Sequence, residues 1–271
     1  MRALAILVML IATAHAAAGD AGRQQPSAAS FELPFHPEQC ELAVGEAERL
    51  LGLAPDDPLH WKLLAEGSLC EGLRDTDYAA LTSAVRAYAV VLRAHPNDLE
   101  AQLGLADARR KLFPLAPRSA TAMRRAVVLA RSARQRPQID YATKNLAALR
   151  AMRRFNASRR RDAEARLGLD PHDLEARAQL VNVLSDSGPR ALRRSCRLQR
   201  GLVTAAGGTD ALLVYGQLLW KAGRLGPAAA VLSRARRALE GGESAPALRA
   251  YVESQLAAIA RKRPPLPHGG G

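Results

Sequence analysis

The chain has 271 residues, and 48% of them are hydrophobic, ample for a core, so an ordered protein of one elongated or two compact domains is expected. Aromatic residues make up only 4% while Ala, Leu and Arg dominate, which excludes a sheet rich in Val, Ile, Tyr and Thr and points to closely packed helices. The net charge of +13 leaves an acidic partner open. The excess is nearly all arginine, with Lys62, Lys111, Lys144, Lys221 and Lys262 the only lysines, which is equally the mark of a GC-rich genome.

At the start, Met1-Arg2 is basic, Ala3 to Ala14 is an apolar run of 12, and Ala14-His15-Ala16 and Ala16-Ala17-Ala18 are small-x-small sites. Residues 1–18 are thus expected to be a cleaved export signal, since the run falls short of the roughly 20 residues a membrane-spanning helix needs. No cysteine follows it before Cys40, so no lipid attachment is expected. Residues 19–35 are expected to form a polar, flexible linker, and the product is expected to be periplasmic or secreted.

Residues 36–57 predict an opening helix, with Ala43, Ala47 and Leu50 spaced on one face before Pro55. From residue 58 the chain repeats itself. Leu105, Ala106, Leu129 and Pro137 each lie 41 residues after Leu64, Ala65, Tyr88 and Pro96, with Trp61 and Ala84 completing the first unit. Pro55-Asp56-Asp57, Pro96-Asn97-Asp98 and Pro171-His172-Asp173 mark junctions, a helix stop followed by capping residues. Two looser units follow. Residues 140–171 keep Leu146 and Ala147, and 174–207 keep Leu180, Val181 and Leu184. The clearest unit, 209–239, carries Gly216, Leu219, Gly223, Leu225, Ala228, Leu232 and Ala235. Gly241-Gly242 then breaks the chain, and Ser244 caps a closing helix within 241–262. The tail 263–271, proline-rich and basic, is expected to be disordered.

These spacings resemble the tetratricopeptide repeat, a pair of antiparallel helices of about 34 residues. The resemblance is specific at 58–137 and 209–240 and looser elsewhere between 36 and 262. It implies an all-α fold, a right-handed superhelical stack with five helix pairs over 58–240, and a concave groove that binds a protein or peptide. The register places Lys62, Glu66, Asp107, Arg110, Lys111, Lys144, Asn182, Gln217, Trp220 and Lys221 on that groove. The family's carboxylate clamp, Lys followed four residues later by Asn, is broken, because Glu66 follows Lys62 and Ala148 follows Lys144. Trp220 is either a binding hot spot on the groove or packs onto the closing helix. The same register sets Cys40 beside Cys70, since antiparallel neighbours bring one helix's start to the other's end. The expected disulfide closes a loop worth roughly 3 kcal/mol, against the alternative of two buried thiols. Cys196, among Arg193, Arg194 and Arg197, is left over, either as a free structural cysteine or as a thiolate stabilised by positive charge.

No catalytic residue, metal site or cofactor is indicated. The histidines lack metal-ligand spacing, and phosphate loops, nucleophile elbows and dinucleotide turns are missing. Arg150, Arg153, Arg154, Arg159, Arg160 and Arg161, interrupted by Phe155, form a basic patch that is either a solvated helix face or a site for an anionic polymer or membrane surface. Nothing points to a specific nucleic acid. The chain therefore reads as an exported adaptor or scaffold, with polyanion binding as the alternative and an enzyme with a dispersed site as a remote one.

Overall fold

The three proline junctions all start a helix by the same local device. Two residues beyond each proline, Asp57, Asp98 and Asp173 stand at an N-cap, and their carboxylates accept hydrogen bonds from the backbone N–H groups of Leu59, Ala101 and Ala176. Asp77 does the same for Ala79 and Ala80. Pro58, Pro117 and Pro189 sit in the first turn of their helices, where a missing N–H leaves no bond unmade.

A computed structural model describes residues 39–240 and 246–261. Among these residues it contains eleven helices and no strand. They are α1 (Cys40–Leu53), α2 (Pro58–Asp75), α3 (Tyr78–Ala94), α4 (Leu99–Leu112), α5 (Pro117–Ser132), α6 (Arg136–Leu169), α7 (Leu174–Ser185), α8 (Pro189–Ala206), α9 (Thr209–Lys221), α10 (Leu225–Glu240) and α11 (Pro246–Ala260). The expected export signal, the linker, the glycine break with its Ser244 cap and the proline-rich tail lie outside the described residues. No described helix is long and apolar enough to cross a membrane.

Each helix packs on its neighbours in sequence, and α2 also touches α4. A Cys40–Cys70 disulfide ties α1 to α2, with the Cα atoms 5.6 Å apart and both side chains buried. Within α9 and α10 the approach is close enough that a Cβ on Gly216 would stand 2.6 Å from Leu232 Cγ. The turn between them is a Schellman motif. The Arg224 N–H donates to the Leu219 carbonyl and the Gly223 N–H to the Trp220 carbonyl, with Gly223 at φ 74°.

Where five pairs were expected over 58–240, four form, α2–α3, α4–α5, α7–α8 and α9–α10. Residues 136–169 are a single helix of 34 residues, α6. Between Pro137 and Pro171 the sequence offers no proline and only Gly168, and Ala, Leu and Arg sustain the helix through the site where a turn would have to be. Its first half packs Ala142, Leu146 and Leu149 with Met123 and Ala126 of α5. Its second half packs Ala163 and Leu167 with Leu180, Leu184 and Leu198. Between Leu149 and Ala163 no α6 residue is buried.

The halves joined by α6 also meet directly, at Lys221. Its ammonium lies 2.7 Å from Asp186 Oδ1, just past α7, and stands 5.4 Å above the Tyr78 ring and 5.2 Å above the Phe113 ring. Tyr78, first residue of α3, meets Trp220 edge-on at 5.6 Å between centroids. The Leu115 N–H donates to the Asp186 carbonyl at 3.0 Å. One node thus fastens the ends of α3, α4, α7 and α9.

Candidate binding surface

Of the side chains expected on one groove, Lys62 with Glu66, Asp107 with Arg110, and Trp220 with Lys221 fall into separate internal clusters. Lys62 Nζ bridges Glu100 at 2.7 Å and Asp98 at 3.2 Å across α2 and α4. Burial pulls the Lys62 ammonium down, but these two carboxylates outweigh it and leave its pKa raised. Glu66 completes the cluster. Burial pushes its carboxyl up, against Lys62 and with Glu100 and Asp98. Three carboxylates therefore surround one lysine here.

Asp107 is buried, not open to a partner. Arg110 donates to it at 3.0 and 3.1 Å, and the Tyr141 hydroxyl donates to its other oxygen at 2.7 Å. Lys111 is exposed beside this pair, its pKa lowered by burial and by Arg110. Lys144 lines an open depression of about 590 Å³ with Arg131, Arg136 and Ile139, and none of the other groove candidates borders it. Asn182 is half-buried on α7. Gln217 donates to the Tyr251 hydroxyl at 2.8 Å, joining α9 to α11.

Trp220 and Lys221 are corrections. Trp220 is 1% exposed and packs in one core with Val252 and Ile259 of the closing helix, the second of its two expected placements, so it offers no surface to a partner. The Lys221 side chain is 7% exposed and held in the node described above. Tyr78, the first residue of α3 and 142 positions before Trp220, packs against both side chains. The same burial raises the Tyr78 phenol to about 12, with Asp186 and Tyr251 adding to it.

The arginines behave differently. On α6, Arg150, Arg153, Arg154, Arg160 and Arg161 are exposed, and the half-exposed Arg159 lies 5.6 Å over the Phe155 ring, itself exposed. On α8, Leu192, Ser195, Gln199 and Leu202 form the buried stripe, which turns all of Arg190, Arg193, Arg194, Arg197 and Arg200 outward on a helix without one acidic residue. Glu164 joins the two helices, accepting from Arg160 at 3.1 Å and Arg194 at 3.3 Å. The full α8 face escapes a reading confined to Arg193 to Arg197, although the spacing of its apolar residues contains it.

Cys196 is the free cysteine. Burial pushes its thiol up, with Arg224 pulling the other way, so the charge-stabilised thiolate gives way to a half-buried thiol. Among the described residues no group of three or more His, Cys, Asp or Glu is placed to hold a metal ion. No family model matches the chain, and none of the curated proteins is detectably similar to it.

Proposed function

We propose that this chain is an exported tetratricopeptide-like adaptor, a right-handed superhelical scaffold of helix pairs without catalytic activity, and that it holds an acidic protein or peptide on the arginine face of α6. The observation that carries the reading is the exposed stretch Arg150, Arg153, Arg154, Arg160 and Arg161, continued onto α8 through the carboxylate of Glu164 shared with Arg194. The antiparallel pairs, the capped junctions and the close Gly216–Leu232 approach support the repeat resemblance. The disulfide supports an oxidising compartment. The reading moves the partner off the groove that the family would use, because Lys62, Asp107, Trp220 and Lys221 already have internal partners or are buried.

Capture from an envelope fraction, with the mature protein and with Arg153→Glu/Arg154→Glu as baits, tests this. A partner retained by the first and lost by the second supports the reading; one retained equally by both removes α6 from it. A second reading, an anionic polymer or membrane surface, is favoured by exposed Phe155 and Met152 one turn apart among the arginines. Binding to anionic vesicles that falls steeply with salt and is lost in Phe155→Ala would select it.

A further inference from the structure

Beyond the α6 face, a second site lies where α8 meets α9. Arg193, Arg197 and Arg200 recur on α8 at the spacing of one helical face, about a quarter turn around the helix from Arg194, which reaches Glu164. Together with Arg224 they line a pocket of about 330 Å³ that also contains Tyr215 and Cys196, and no acidic residue borders it. Among the described residues none of these four guanidinium groups has an ion pair, in contrast to Lys62, Arg110, Arg166 and Lys221, each of which is matched to a carboxylate. Arg224 is held there by backbone. It is the residue after Gly223 in the Schellman turn, where its N–H bond to the Leu219 carbonyl fixes its position.

Four like charges around one concavity repel each other until a counter-charge fills it, and a guanidinium fork matches the oxygen geometry of phosphate in pairs. We propose that this pocket is a binding site for a compact ligand carrying two or more phosphate groups. The volume lies at the low end for small-molecule sites. It exceeds what a single phosphate needs, and Tyr215 offers a ring wall against which an attached sugar or other organic group can lie. The pocket involves neither α6 nor the partner proposed above.

Cys196 provides the readout, because it is the free thiol and borders the pocket. Inorganic tripolyphosphate and glucose 1,6-bisphosphate are titrated calorimetrically into the full mature chain, and alkylation of Cys196 by N-ethylmaleimide is timed with and without each. Both probes should bind and slow alkylation, the bisphosphate more tightly if the organic wall contributes and the tripolyphosphate more tightly if charge alone does. Arg224→Gln should weaken binding about tenfold or more and abolish protection, since it removes one charge-assisted contact. Arg153→Gln/Arg154→Gln, on α6, should do neither. Both variants change exposed side chains and should melt with the parent protein. Equal weakening by both variants, or binding without protection of Cys196, would show diffuse condensation on a basic surface and overturn the proposal, as would no binding of either probe. Failure of the mature protein to capture any partner, with pocket binding intact, would count against the adaptor reading alone.

Discussion

Replacing Lys221 by Ala tests whether the node at the α9 terminus holds the two halves of the helical array together. Removing one partner of a fully buried ion pair costs about 3–5 kcal/mol. Asp186, however, keeps 40% of its side-chain surface in water, so it rehydrates, and this part falls to about 1–2 kcal/mol. The two ring contacts, at 5.4 and 5.2 Å from the ammonium, are largely desolvated and together contribute about 1–2 kcal/mol. The expected loss is about 3 kcal/mol, or about 6–12 °C in melting temperature for a domain of this size. Lys221→Met keeps the aliphatic stem and separates packing from charge. A double-mutant cycle of Lys221→Met with Asp186→Asn, read by urea unfolding, then isolates the pair. A coupling energy indistinguishable from zero, with Lys221→Ala melting like the parent, would refute the reasoning and return Lys221 to the surface available to partners.

Trp220→Ala should cost about 3–5 kcal/mol in chemical unfolding, the penalty of a buried tryptophan, and leave partner affinity unchanged once the folded fraction is accounted for. Cys40→Ser/Cys70→Ser should lose roughly 3–4 kcal/mol of stability, from the 30-residue separation that the disulfide closes, and the parent should lose the same on reduction. Gly216→Ala should destabilise by about 1–3 kcal/mol, because the new Cβ would stand 2.6 Å from Leu232 Cγ; a neutral result in thermal melting would mean the helices separate freely. Glu66 has a folded pKa above its ordinary 4.5, so the native state binds the proton more tightly and stability is lost as pH rises from 4.5 through the folded value. Glu66→Gln escapes that loss. Its stability relative to the parent, measured by urea unfolding, should therefore rise between pH 4 and pH 7, and a gap independent of pH contradicts the assignment.

What sequence reading captures here is what is local. Asp57, Asp98 and Asp173 cap their helices through bonds spanning two or three residues, and Gly223 turns the chain through bonds within one turn, so each is legible from a few adjacent letters. The Cys40–Cys70 pairing follows from two neighbouring antiparallel helices. Trp220 and Lys221 fail for the opposite reason. Tyr78, Phe113 and Asp186 reach Lys221 from three distant segments, and Trp220 is closed in by Tyr78 and by the closing helix, the second of its two alternatives; no periodicity within α9 decides between them. The α6 error is of a third kind, because the missing turn is visible in the letters. A repeat frame with helix pairs on both sides was carried across residues 140–171 although no breaker stands between Pro137 and Gly168.

The composition of α6 also explains why a fifth pair could not have been buried there. Leu149 and Ala163, the last and first buried residues of its two halves, are 14 positions apart, which at about 100° per residue falls only about 40° short of four full turns. Both halves therefore turn nearly the same face toward their cores. Across the gap that face is carried by Arg153, Asn156 and Arg160, at about 40°, 20° and 20° from Leu149. Arg153 and Arg160 are exposed, and the Asn156 amide donates to the Met152 carbonyl of its own helix at 3.0 Å. Polar side chains at the positions where a packed helix would place Leu or Ala exclude a dry contact along this stretch, since burying unpaired guanidinium groups costs far more than the packing returns. The helix instead spans the gap in water, pinned at both ends, with its arginines held in a fixed rotational phase. A surface whose charges are preset in this way would lose little side-chain and backbone freedom on meeting a carboxylate-rich partner, which is the physical argument for setting the proposed partner on α6.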